Sequence, residues 1–260
     1  MEFRVRHFGG PLVYSSPGLA GPYEGLPLEV VAQIGGDGLG GIQYEFNHFM
    51  KWDGPIAEGA LGGWTLVNNT GACTIVQLST RIGEITLSPG TTDSAEATLQ
   101  LTGGAAGMNF IYAVGKRMWM AARIKFVTVA LTELFLGMGT LDNAPCVTST
   151  LPSDGLFFHK TKTGTKINFD ARKDGTSTSK TTIGTTLADA TYTILGFYVD
   201  PTGNIHMYQD NTELTASMIA AGTANIPGAA DVMSFMVGIQ EATDDNMNLT
   251  LDWIMVAQEL

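Results

Sequence analysis

Between Lys116 and Phe126 the chain reads KRMWMAARIKF, four cations threaded through apolar residues. On a helical wheel Lys116, Arg117, Arg123 and Lys125 scatter around the whole circumference, so no polar face forms. At period two the stretch sorts. Met118, Met120, Ala122, Ile124 and Phe126 share one side; Arg117, Trp119, Ala121, Arg123 and Lys125 share the other. That is the pattern of a β-strand. From about residue 46 the chain continues in short runs of the same kind, among them GWTLVNN, CTIVQLS, GEITLSP, AEATLQLT, MNFIYAV, TELFLGMGT, GLFFHKT, KINFDARK, TYTILGFYVD, NIHMYQD, MSFMVGIQ and LTLDWIMVAQ. Turn residues separate them: DPTGN, QDNTE and TDDNMN place Pro, Gly, Asp and Asn where tight turns need them. RKDGTST, with Asp-Gly between alternating runs, predicts a hairpin. The Thr-rich STSKTTIGTT suits a half-exposed strand. ELTASMIAAGT alone suits helix as well as strand. The expectation is an all-β protein of two packed antiparallel sheets, with RMWMAARIKFV and TYTILGFYVD both central.

The first 45 residues differ. They hold ten glycines and four prolines, which remove donors and raise the cost of ordering. They also carry Phe3, Phe8, Leu12, Val13, Tyr14, Tyr23, Leu26, Leu28, Val30 and Val31, which a plain linker does not need. The chain therefore divides into an extended arm, residues 1–45, and a β-sandwich domain, residues 46–260. The arm is expected to order against another surface through Phe3, Phe8, Tyr14 and Tyr23, with LPLEVVAQI as a short strand within it.

Composition narrows the picture further. With 44% apolar and 15% charged residues the chain is a folding sequence, long enough for a large core. No apolar run approaches the length of a membrane span, and MEFRVRHFGG lacks a signal-peptide core, so a soluble protein made in the cytoplasm is expected. Cys73 and Cys146 are expected to be free thiols. The net charge of −11 is uneven: residues 181–260 carry ten Asp and Glu and neither Lys nor Arg. Such a segment does not bind nucleic acid, which needs clustered cations. It suits a solubilising acidic surface, or a face for a basic partner or cations.

Three consecutive features carry a resemblance. KRMWMAARIKFV runs into LTELFLGMGTLD; DGLFFHK and KINFDARKDGTST form a hairpin pair; TYTILGFYVDPTGNIHMYQDNTEL is two strands joined by a Pro-Gly turn. LTLDWIMVAQ closes the set. Over residues 46–260 this resembles the concanavalin A-like (LamG-like) jelly-roll sandwich, in which the final strand returns to pair near the first. More narrowly it is similar to tailed-bacteriophage structural proteins of that fold, capsid decoration (cement) proteins among them. The resemblance implies a structural virion protein on the outer capsid surface, bound to the major capsid protein and self-associating as a homotrimer. A carbohydrate-binding module of a phage head fibre or tail is the alternative it leaves open.

Chemistry is sparse. Glucanases of this fold share an E-x-D-x-x-E strand that sets carboxylates into one cleft, and this sequence has none. Asp93 and Glu96 fall on opposite faces, and Glu241, Asp244 and Asp245 lie in a turn. Neither G-x-S-x-G nor a phosphate-binding loop occurs. His7, His48, His159 and His206 form no pair at metal-ligand spacing. No catalytic, cofactor or metal residue is therefore assigned, and no enzyme is expected. EATDDNMN offers oxygen donors of the kind calcium takes, and reads equally as an acidic turn; Asp142 and Asn143 offer less. A glycan platform would use Trp119 with Tyr198 and Tyr208. Against it, Trp119 can pack between the sheets with Arg117 and Arg123 at the rim, and Trp253 reads as core.

Overall fold

The computed structural model describes residues 42–47, 49, 57, 59–61, 63–69, 72–77, 83–102, 109–146, 151–241 and 247–259. Of 42–47 it describes the backbone pairing. One sheet, A, holds β1 (Ile42–Asn47), β4 (Thr74–Gln77), β5 (Ile85–Ser88), β7 (Met118–Phe126), β12 (Tyr192–Val199), β13 (Ile205–Gln209), β14 (Thr212–Glu213) and β16 (Leu249–Glu259). The other, B, holds β2 (Gly59–Leu61), β3 (Trp64–Asn68), β6 (Glu96–Leu101), β8 (Thr132–Gly139), β9 (Gly155–Lys160), β10 (Ile167–Lys173), β11 (Thr176–Ile183) and β15 (Ser234–Glu241). The order in A is β14-β13-β12-β7-β16-β5-β4, with β1 also on β16; in B it is β11-β10-β9-β8-β15-β6-β3-β2. All pairings are antiparallel.

The two central strands behave as their pattern predicts. Met118, Met120, Ala122, Ile124 and Phe126 of β7 enter the core between the sheets, beside Leu195, Phe197 and Val199 of β12. Sheet B meets them with Leu134, Leu136 and Met138 of β8 and Phe235, Val237 and Ile239 of β15. Asp174 and Gly175, both at positive φ (50° and 75°), close the β10–β11 hairpin, a turn twisted to match its strands. Asp210 and Asn211 (51° and 63°) do the same between β13 and β14. β11 is the edge of sheet B, half-exposed as its threonines suggest.

Two readings change. MNFIYAV forms no strand; only Phe110 bridges, to Met233. Its backbone is satisfied by side chains instead: Ile111 exchanges hydrogen bonds with the Gln258 amide. ELTASMIAAGT is one 3-10 turn, Thr215–Ser217, followed by a bridge from Ile219 to Ile205, and among the described residues helix is confined to that turn. The strand proposed at LPLEVVAQI lies outside the described residues, and β1 spans the boundary drawn at residue 45. Cys73 and Cys146 are buried and not joined in a disulfide.

The outer side of sheet B is floored by glycine. Gly137, Gly139, Gly155 and Gly238 sit on neighbouring strands β8, β9 and β15; the β8–β9 connection packs over Gly139 with Pro152 and Asp154 and over Gly238 with Pro145 and Cys146, while Gly137 and Gly155 abut atoms of β8 and β9 themselves. A Cβ at Gly238 would stand 2.8 Å from Cys146 Sγ and 2.9 Å from Thr98 Oγ1. One at Gly137 would stand 2.5 Å from the Leu156 carbonyl oxygen, a backbone atom with nowhere to go. Phe135, Phe157, Met236, Leu151 and Cys146 complete this layer. Gly137→Ala is therefore expected to cost about 1–3 kcal/mol or more in urea unfolding. Gly238→Ala, whose obstacles are side chains, should cost less; the reverse order would mean that Cys146 and Thr98 cannot give way.

Candidate functional site

The sequence-predicted aromatic residues do come together, on the outer side of sheet A. Tyr198 of β12 stands directly between Trp119 of β7 and His206 of β13 in the strand register. The indole and phenol rings stack at 5.9 Å and 20°, the phenol and imidazole at 5.9 Å and 26°. Tyr208, Ala121, Met255 and Ala257 fill in around them, with Trp253 packed at the margin. Trp119 is thus buried, but outside the inter-sheet core, and Trp253 is half-buried on that outer layer and not core. The reason lies in β16. Its pairing with β7 slips between Leu251 and Trp253, so Asp252 and Trp253 both leave the core-facing row. Leu249 and Leu251 before the slip, and Ile254 and Val256 after it, all stay in the core.

Charged groups close both ends of the ring row. Arg117 lies over Trp119, its guanidinium carbon 5.4 Å from the ring centre. Its Nε donates to Glu259 Oε1 at 2.8 Å, and its backbone N–H donates to Oε2 at 2.8 Å. At the other end His206 is held between two carboxylates, Nδ1 2.8 Å from Glu213 Oε1 and Nε2 3.3 Å from Asp200 Oδ2. Asp200 also receives the N–H groups of Thr202 and Asn204 and both their side-chain donors. Partial burial opposes ionisation of Asp200, yet these bonds hold its carboxyl well below the usual range. Burial alone would lower the His206 value; hydrogen bonds and charge from Glu213 and Asp200 outweigh it and raise it. Further along β7, Arg123 and Lys125 bracket Tyr192 at 4.0 and 4.5 Å from the ring centre, and pair with Asp252 and Glu84.

Sheet B carries its polar groups differently. Glu96 is fully buried under the β8–β9 connection; its Oε1 accepts the Cys146 N–H at 2.9 Å and the Thr98 hydroxyl at 3.1 Å, while Oε2 has no hydrogen bond. Burial pushes its pKa up to about 7 against the pull of those bonds. Burial and the neighbouring Glu96 carboxyl push the Cys146 thiol well up, so it is no nucleophile. His159 and Asp170, on β9 and β10, lie 3.5 Å apart. Burial works against the Asp170 carboxylate, but His159, Ser179 and Ser177 hold its pKa below the ordinary value.

Sequence reasoning missed both histidine clusters. The β13–β14 turn sets Tyr208 opposite Glu213, which brings Glu213 diagonally beside His206, so hairpin arithmetic on NIHMYQDNTE could have found that one. The His159–Asp170 pair needs the β9–β10 register, which no local pattern supplies. Among the described residues no group of three or more His, Cys, Asp or Glu is arranged to hold a metal ion. The acidic turn at Asp244 and Asp245 and the residues Phe3, Phe8, Tyr14, Tyr23, His7 and His48 lie outside those described. Asp142 caps its own turn, its Oδ1 accepting the Ala144 N–H at 2.8 Å.

No family model matches the chain, and no curated protein matches it. Solved structures do. A protein of unknown function from Shewanella oneidensis MR-1 superposes with a TM-score of 0.58 at 16% identity, covering 94% of this chain and 97% of that one. The Emp47p carbohydrate recognition domain gives 0.55 at 11%, covering 86% and 99%. The Bacillus licheniformis β-glucanase gives 0.51 at 16%, covering 84% and 99%. Likeness at these identities shows the fold: a concanavalin A-like jelly-roll sandwich of the lectin and glucanase kind.

The raised Glu96 and His206 values set a pH dependence. A group whose pKa is higher folded than unfolded stabilises fully below its unfolded value, and that contribution is lost as pH rises through the folded value. For Glu96 the window runs from 4.5 to about 7, and for His206 it lies above 6.5. Stability measured by urea is expected to fall between pH 5 and 8, with Glu96 contributing on the order of 3 kcal/mol of the change. Glu96→Gln should flatten the part below about pH 7. A native profile that rises across this range would refute the assignment.

Proposed function

We propose that the chain is a structural, non-enzymatic protein of a tailed-bacteriophage particle. In this reading it is a decoration protein made in the host cytoplasm, set on the outer surface of the head as a homotrimer and attached to the major capsid protein by its N-terminal arm. The observation that supports it most is the way the arm joins the sandwich. The chain passes from residue 41 directly into β1, which pairs residue for residue with β16 from Glu259 to Ile254. A pull on the arm therefore loads a row of inter-strand hydrogen bonds in shear, next to the longest strand of sheet A. The side chains of the two outer layers support the non-enzymatic part of this reading. Rings and charges on sheet A satisfy one another, and the Glu96 carboxyl on sheet B is sealed under the protein's own connection.

The second reading, a carbohydrate-binding module of a head fibre or tail, draws on the row Trp119, Tyr198, His206 with its charged ends. It requires that row to open, since Trp119 is fully buried and Tyr198 and Tyr208 are 8% and 2% exposed. A glycan array on the native chain, with Tyr198→Ala alongside, separates the two.

The test of the first reading is a truncation that spares β1. Residues 42–260 should fold and keep nearly the native melting temperature, yet fail to co-sediment with heads that lack the protein. Full-length chain should pellet with them. Equal pelleting of both forms would remove the arm from the attachment, and hydrolysis of a β-glucan lost on Asp170→Asn or Glu133→Gln would overturn the non-enzymatic reading.

A further inference from the structure

Both ring nitrogens of His206 face carboxylate oxygens, Nδ1 at 2.8 Å from Glu213 Oε1 and Nε2 at 3.3 Å from Asp200 Oδ2. A carboxylate only accepts hydrogen bonds, and a neutral imidazole has one N–H to give. The arrangement is therefore complete only when the ring carries two protons and a positive charge. Three segments meet on that ring. His206 lies on β13, Glu213 on the two-residue strand β14, and Asp200 just past the end of β12.

The two carboxylates are not anchored alike. Asp200 accepts from the N–H groups of Thr202 and Asn204, from the Thr202 hydroxyl and from the Asn204 amide. The turn it closes is tied down further. The Gly203 carbonyl accepts the Tyr112 hydroxyl at 2.8 Å, and Asn204 Oδ1 accepts the Ala221 N–H at 2.9 Å. Glu213 instead stands at the edge of sheet A, on a strand that pairs with β13 at Tyr208–Glu213 and Gln209–Thr212. When the ring loses a proton, one nitrogen turns a lone pair toward a carboxylate, and the repulsion is relieved at the weaker anchor, β14.

The neighbouring titratable groups do not replace that proton. From β12 the Tyr198 phenol stacks on the ring, from β13 Tyr208 lies in the same aromatic layer, and Tyr112 faces Asp200 across the turn. Arg117 lies beyond Tyr198, over Trp119, and is engaged by Glu259. Burial works against the charged ring, but Glu213 and Asp200 outweigh it and raise its pKa above 6.5.

We infer that protonated His206 is a latch: its imidazolium holds the β13–β14 hairpin to the Asp200 turn, and loss of the proton frees β14 while the sandwich stays folded. The latch is closed at pH 6.5 and opens as pH rises through the folded value. It belongs to the fold and holds under either functional reading.

The experiment is amide exchange of the full-length chain, read as protection factors between about pH 6 and 9, with the His206 ring titration followed by NMR. The Leu214 N–H, which donates to the Met207 carbonyl across the hairpin, should lose protection at least about fivefold in step with the ring. The loss should persist in Glu96→Gln, which removes the other pH-dependent group, and so is local to the hairpin. Glu213→Gln should lower the ring's pKa and make Leu214 protection indifferent to its titration. His206→Gln should show the reduced protection at every pH. A ring that titrates at or below the ordinary imidazole value overturns the latch. So does Leu214 protection that ignores the ring in the native chain, or a pH response that survives Glu213→Gln or His206→Gln unchanged.

Discussion

The register of β7 against β16 is the constraint on which the rest of sheet A depends. A shift of one residue in a strand exchanges its two faces. The sequence LTLDWIMVAQ changes phase in its middle, with Leu249 and Leu251 on one count and Ile254 and Val256 on the next. The extra residue at Asp252 absorbs that change, and the carboxylate it turns outward meets Arg123. Glu259 at the far end of the strand fixes Arg117. Exposed pairs of this kind contribute little stability each. Their effect is positional: both cations are tied to β16, and the β7–β12 register sets Trp119 opposite Tyr198.

The same pairing explains the lopsided charge. The last eighty residues hold no Lys or Arg, yet their carboxylates are not simply a bare acidic surface. Asp252 and Glu259 face the cations of β7, Asp231 faces Lys173, and Asp200 and Glu213 enclose His206. The fold interleaves strands far apart in sequence, so an imbalance along the chain becomes local balance across a sheet.

What the sequence made legible was whatever depends on nearest neighbours. Period-two alternation located β7, β12 and most other strands, and Asp174-Gly175 marked its hairpin because two adjacent positive-φ residues have few substitutes. Alternation did not say which layer a face joins. Trp119 and Met118 are both buried, one outside sheet A and one inside, and no local signal separates a covered outer face from a core. MNFIYAV has the composition of a strand, but Gln258 takes the backbone groups of Ile111, a partner 147 residues away. Glu96 looked like an isolated carboxylate because the atoms that bury it belong to the β8–β9 connection.

Both sheets place a late strand in the middle. β15 joins β8 to β6, and β16 joins β7 to β5 and β1. During synthesis every earlier strand thus emerges before the partner that unites its sheet exists. Until residues 234–259 appear, β6 with β3 and β2 is severed from β8 to β11, and β1, β4 and β5 are severed from β7 and its neighbours. Completion waits for long-range pairing, the slow kind. A nascent chain cut short anywhere before β15 has fragments of two sheets and no sandwich, so neither layer closes until the ribosome has passed its uniting strand.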